Sequence, residues 1–183
     1  HPIIGLTLSI RGNDQIILLA KNQAGYQNLM KLSTLVMTRS SRTVQLSQIR
    51  NHSTGLYVIT TLDHVFSNLI ESGRFSSADH YLNQLKKITS PKLIKAGIGL
   101  SNPSYIRSFK KICRSNHVQA VALSPVKYLQ SDDHFALRVL NSIHQDRPIP
   151  SPVKVYQNDL GRDWLKSERN MVNAFQEIGL AGA

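Results

Sequence analysis

Seven histidines, one cysteine and eleven acidic residues are the side chains from which this 183-residue chain could build catalysis or a metal site. The histidines are His1, His52, His64, His80, His117, His134 and His144. No two are spaced as H-x-H or H-x-x-x-H, so no single strand or helix offers a ready imidazole pair for zinc. Asp63 and His64 are adjacent at a helix start, where an aspartate ordinarily caps. Asp132-Asp133-His134 opens another helix, where acidic residues complement the helix dipole. Both pairs read as structural before they read as catalytic. Cys113 sits in an apolar helical pattern and reads as a small buried side chain. Gly97-Ile98-Gly99 follows a strand but lacks the third glycine of a dinucleotide loop and the Lys-Ser/Thr of a P-loop, and no serine lies in G-x-S-x-G. Only Glu71, Glu168 and Glu177 are glutamates, a thin supply for a multi-metal hydrolase whose pocket needs several converging carboxylates and imidazoles. Residue types alone therefore describe an α/β domain with no catalytic residues to name.

Charge is the strongest compositional signal. Twenty-two Lys and Arg against eleven Asp and Glu give a formal charge of +11, which favours an anionic neighbour such as nucleic acid. The basic residues are spread, with modest clusters at Arg39 and Arg42, Lys86-Lys87 and Lys110-Lys111, and spread charge is equally the mark of a solvated surface. With 41% hydrophobic and 18% charged residues the chain is expected to fold rather than remain disordered. No apolar run approaches the roughly 18 residues of a membrane span, and no secretory leader is read at the start. A lone cysteine cannot form an internal disulfide, which points to a reducing, cytoplasmic setting. The chain opens on His1 and enters an apolar strand almost at once, as a piece of a longer protein would.

The elements that would position any site follow from periodicity. Residues 3–10 alternate Leu6, Leu8 and Ile10 with polar neighbours and read as a strand ending at Gly12-Asn13. Residues 16–20 are an apolar run suited to a strand buried on both faces. Asn22 is placed to cap a helix through Val36, with Tyr26, Leu29, Met30, Leu32, Leu35 and Val36 on its apolar stripe. A short helical turn at 46–50, a strand at 56–60, a helix capped by Asp63, and another from Ser76 or Ser77 to about Ile88 follow. Strands at about 93–99 and 120–123 flank a helix that starts at Pro103. Ser131 is expected to cap a helix with Phe135, Ala136, Val139, Leu140 and Ile143 on one face, and a last helix covers about 167–178. Pro148, Pro150 and Pro152 mark an extended linker. Alternating strands and helices imply a parallel sheet, and a barrel or an open doubly wound sheet fits equally well.

Two stretches carry a resemblance. Pro2-Ile3-Ile4-Gly5, followed by Leu18-Leu19-Ala20-Lys21-Asn22-Gln23-Ala24-Gly25-Tyr26-Gln27-Asn28-Leu29-Met30-Lys31-Leu32-Ser33, resembles the polymerase-and-histidinol-phosphatase (PHP) domain of bacterial DNA polymerase III alpha subunits, of the low-GC Gram-positive type. Weaker echoes lie at Gly55-Leu56, at 122–129 and between Ser167 and Phe175. The resemblance implies a partial TIM-like (β/α)7 barrel of parallel strands alternating with helices. Its first two strand–helix units, which carry H-x-H and Asp-His motifs in the family, would lie upstream of His1. Residues 1–147 would be the later part of the barrel, and 148–183 a proline-rich linker and closing helical segment.

Active members of the family bind zinc or manganese. Carried over by position, a ligand that often follows P-x-x-G falls on Thr7, and a histidine before the L-x-L-A strand falls on Gln15. An Asp and a His in a later strand end fall on Pro125 and Lys127, and the strand around Ile94–Ile98, where a Glu can stand, holds none. Threonine, glutamine, proline and lysine are poor or repelling ligands for a divalent metal. The resemblance thus implies a degenerate metal site, no cofactor in this fragment, and a structural role beside a polymerase core in DNA replication. Its partners would be the remainder of the alpha subunit, DNA and other replisome subunits, with no membrane. Lys127, Arg39 and Arg42 are candidate phosphate or nucleic-acid contacts. The alternatives are a metal-dependent 3′–5′ exonuclease or phosphoesterase completed by upstream ligands, and a basic nucleic-acid-binding module.

Overall fold

The computed structural model describes residues 2–10, 14–62, 64–99, 103–148 and 163–176. These fall into two compact units that divide after Ala122. Apolar alternation builds the first. Strand β1 (Gly5–Ile10) and strand β2 (Asp14–Ala20) pair antiparallel, with Leu8 opposite Ile16 and Ile10 opposite Asp14. Helix α1 (Gln23–Met37) and the short α2 (Leu46–Arg50) precede strand β3 (Leu56–Thr60). Helices α3 (Val65–Glu71) and α4 (Phe75–Leu85) lead to β4 (Ile94–Ile98), and α5 (Pro103–Ser115) leads to β5 (Gln119–Ala122). The five strands form one sheet in the order β1-β2-β3-β4-β5.

Paired residues share a face, so the register sorts the sheet into two. On one face Leu8, Ile10, Asp14, Ile16, Leu18, Val58, Thr60, Ile94, Ala96 and Ile98 are buried. Beyond it lie the packed aromatics of three helices. Phe66 of α3 stacks on Tyr81 of α4 at 5.8 Å and meets Phe109 of α5 edge-on at 5.7 Å. On the other face Thr7 is exposed, Ser9, Gln15, Ile17, Tyr57 and Lys95 are half-buried, and Ile59 and Gly97 are buried.

The expectation of a uniformly parallel sheet is corrected. Strands β3, β4 and β5 are parallel, but β2 runs antiparallel to both neighbours. Positions 11–13 alone join β1 to β2, and so short a connection can only turn a hairpin, since a parallel pair needs a crossover of a dozen or more residues. The longer connection through α1 and α2 begins and ends at one end of the sheet: Ala20 pairs with Leu56, and Lys21 N–H donates to the Gly55 carbonyl at 2.9 Å. It is an excursion and return, which strand–helix alternation cannot distinguish from a crossover. The sheet is mixed and open, not a closed barrel.

In the second unit Tyr128 and Trp164 form a bridge. A 3₁₀ turn at Ser131–Asp133 runs into helix α6 (His134–His144), and α7 spans Glu168–Gln176. Ser131 therefore begins a 3₁₀ turn instead of capping α6. The apolar stripe of α6 faces outward, with Phe135, Leu140 and Ile143 exposed. The division drawn at 147/148 falls inside this unit, beside residues 149–162, which lie outside the described residues.

Candidate functional site

Thr7 and Gln15 stand on adjacent strands and on the same, partly open face of the sheet. Their neighbours there are Ser9, Ile17, Tyr57, Ile59 and Lys95. Strand β4, which could carry a glutamate in the resemblance, instead places Lys95 on this face. Its Nζ donates to Gln119 Oε1 at 2.6 Å and lies 5.9 Å from the centre of the Tyr57 ring. Among the described residues, hydroxyls, amides and an ammonium are the polar groups of this face. Such a donor set does not fit a divalent transition metal, which takes imidazole, thiolate or carboxylate and is repelled by a cation. Among the described residues no three His, Cys, Asp or Glu come together as a metal group.

Pro125 and Lys127 belong to the second unit, where both are exposed. Lys127 is held there by an acid: its Nζ lies 2.6 Å from Asp163 Oδ2, and its backbone N–H donates to the Asp163 carbonyl at 2.7 Å. Lys166 nearby in sequence to Trp164 lies over that ring at 5.2 Å and donates to Ser124 Oγ at 3.1 Å. Arg39 and Arg42 sit on the loop after α1, both exposed. Arg39 Nη1 donates to Gln48 Oε1 at 2.8 Å, and Arg42 adopts a positive φ of 47°.

The remaining candidates have structural settings. His64 occupies the position before α3, while Asp63 lies outside the described residues. Asp133 Oδ2 accepts from the Gln130 N–H at 3.0 Å, and His134 Nδ1 is 3.1 Å from the Ser131 carbonyl. The Gly97 N–H donates to Thr60 Oγ1 at 3.0 Å across β3 and β4. Cys113 is buried and free, and burial pushes its thiol up to about 12, far from a nucleophile's range.

One polar constellation escaped the sequence reading. Asp14 opens β2 on the helix-packed face with only 6% of its surface exposed. Its Oδ2 accepts the Tyr81 hydroxyl at 2.6 Å, and its Oδ1 accepts the Val65 N–H, the first amide of α3, at 3.3 Å. Burial first, and then the Asp14 charge and hydrogen bond, push the Tyr81 phenol well above its ordinary value, so it remains a donor. A pocket of about 530 Å³ opens over this pair, bounded by the end of the β1–β2 hairpin and by α2, α3 and α4. The available signal was the register: Asp14 stands two residues before Ile16 and four before Leu18, on the apolar side of the alternation.

Comparison with known proteins adds two findings. The PHP domain model matches residues 1–100. A DNA polymerase III subunit alpha from Bacillus subtilis (strain 168) is 25% identical over 186 residues, an alignment that takes in 97% of this chain and 16% of that protein. The chain thus spans about one sixth of the length of that curated relative.

Proposed function

Because the chain belongs to the PHP domain family, we propose that it is a piece of a bacterial replicative DNA polymerase III alpha subunit whose PHP domain is degenerate and non-catalytic, and supports the polymerase core. Nucleotidyl transfer would reside in another part of the longer protein, and the setting would be the cytoplasm. The observation that carries this reading is the donor set of the open sheet face. Thr7 and Gln15 offer a hydroxyl and an amide, and Lys95 brings a positive charge to the same face. Metal-assisted phosphoester hydrolysis needs ligands that fix the ion and lower the pKa of its water, and the described residues of this face supply neither carboxylate nor imidazole. The open sheet, with β1 and β5 at its edges, supports the further reading that it is an arc of a PHP-type barrel completed by other strand–helix units.

Metal analysis tests the proposal. The chain, loaded with zinc or manganese and dialysed, is expected to retain far less than one ion per molecule and to leave 3′-ended single-stranded DNA uncut. A stoichiometric ion, lost when Gln15 or Thr7 is replaced, overturns it. A formal charge of +11 favours a second role, direct contact with the DNA backbone. Fluorescence anisotropy of labelled DNA across a salt series should then show affinity falling linearly on logarithmic axes, weakened by Arg39→Ala with Arg42→Ala. Affinity that ignores salt removes this second reading.

A further inference from the structure

We propose that the pocket over Asp14 and Tyr81 is a recognition site for an alkylguanidinium group, the head of an arginine side chain or of a free guanidino compound. Its location sets it apart from the face that carries Thr7 and Gln15, because Asp14 and Ile10 belong to the opposite side of the sheet. The central observation is a carboxylate that is nearly fully buried and yet, among the described residues, has no cation beside it. Among the described residues no lysine, arginine or histidine is paired with Asp14, and none lines the pocket. In a chain with a large positive excess, Asp14 is the one formally charged residue among the described residues that line this pocket.

A carboxylate offers about four acceptor directions. The Tyr81 hydroxyl and the Val65 N–H take one on each oxygen, which leaves one on each for a ligand. Two acceptors held side by side suit the planar fork of a guanidinium, which donates two parallel N–H bonds to a carboxylate. The phenol stays protonated and spends its own hydrogen on Asp14, leaving its oxygen as a further acceptor. Ile10, Leu46 and Val65 give apolar walls for an alkyl stem. A guanidinium is also more weakly hydrated than an ammonium, so it loses less on leaving water. At the mouth, exposed Gln45, Ser47 and Gln84 are polar and neutral. A phosphate or carboxylate ligand would meet a buried negative charge with no compensating cation among the described lining residues, which disfavours anions in this pocket.

The test is an NMR titration of the 183-residue chain with N-acetyl-arginine methylamide. The expected result is saturable shifts at the amides of Leu46, Ser47, Val65 and Tyr81, with the neutral citrulline analogue binding at least about tenfold more weakly. Asp14→Asn should abolish the difference between the two probes. Since Asp14 is buried and its loss could unfold the hairpin, Ser47→Trp provides a second variant: it fills the mouth from an exposed position and should block both probes without lowering the melting temperature. Agmatine identifies the source, binding as tightly as the arginine amide if the natural ligand is a free guanidino compound and more weakly if it is a polypeptide side chain. Equal binding of citrulline and arginine, shifts away from these residues, retained binding in Ser47→Trp, or no saturation at millimolar probe each overturn the proposal.

Discussion

Asp14 and Tyr81 show how far a single hydrogen bond can organise this chain. The bond joins β2 to α4 across 67 positions of sequence, and the same carboxylate reaches the start of α3. Replacing Tyr81 by Phe keeps the ring against Phe66 and removes only the donor to Asp14. Hydrogen bonds to charged groups are worth about 1.5–3 kcal/mol, and loss toward the lower end of that range is expected in urea denaturation of Tyr81→Phe. The pH dependence has a definite sign. Folding raises the phenol above its ordinary value near 10, so the native state holds the proton that the unfolded chain releases. The Tyr81 contribution is therefore complete below about pH 10 and declines as the pH rises above it. Denaturation measured between pH 9 and 11 should show a steeper loss in the parent chain than in Tyr81→Phe; parallel slopes would detach the phenol from the pH response.

At the scale of elements, the stretch that carries the family resemblance turns out to be a packing device. Asn22 Oδ1 accepts the Gly25 N–H at 3.0 Å and caps α1. Asn28 Nδ2 donates to the Thr54 carbonyl at 2.9 Å, tying α1 to the turn before β3. Gly25 lies so close to Gly55 that a Cβ on it would collide with the Gly55 carbonyl oxygen, and Gly55 itself holds a φ of 74°. The K-N-x-x-G-Y pattern thus lets a helix start press against the return of its own excursion. Gly25→Ala should cost about 1–3 kcal/mol through this backbone collision, while Asn22→Ala should cost about 1 kcal/mol through loss of the cap. Thermal melts of the two variants check the ordering, and an alanine at 25 as stable as the parent would contradict it. The same region shows what periodicity could reveal. The β2, α1, β3, β4 and α5 segments were legible because alternation, Asn22 and Pro103 are local signals. The direction of β3 against β2 was not, because nothing in 21–55 records whether the chain crosses over or comes back. The α1 stripe was also overread: Leu29 and Leu32 are buried, but Met30 is exposed. Asp14 was missed for a related reason, since its partners Tyr81 and Val65 are remote in sequence and only tertiary packing brings them together.

For the whole molecule, apolar burial is unevenly shared. The first unit buries the sheet residues together with Phe66, Leu82, Leu85 and Phe109, whereas the described part of the second buries only Tyr128 and Phe175 among its large apolar side chains. The second unit exposes Val126, Leu129, Phe135, Leu140, Ile143, Leu165 and Val172. Hydrophobic burial is the main favourable term in folding, so the two units should differ in local stability. A chain ending at Ala122 keeps the five strands and helices α1 to α5, and with them the hydrogen bonds of Asp14, Asn22 and Asn28. It is expected to fold cooperatively and to melt within a few degrees of the full chain. Limited chymotrypsin digestion of the full chain should cut first between 123 and 176, where Leu129, Phe135 and Leu140 are exposed aromatic or leucine sites, and leave a core beginning near the N-terminus. Initial cleavage inside the sheet, or an unfolded 1–122 chain, would show that the first unit depends on the second for its stability. Survival of the shorter chain would assign the fold to the hairpin, α1 and the parallel strands, and leave the outward stripe of α6 free of any part in holding it.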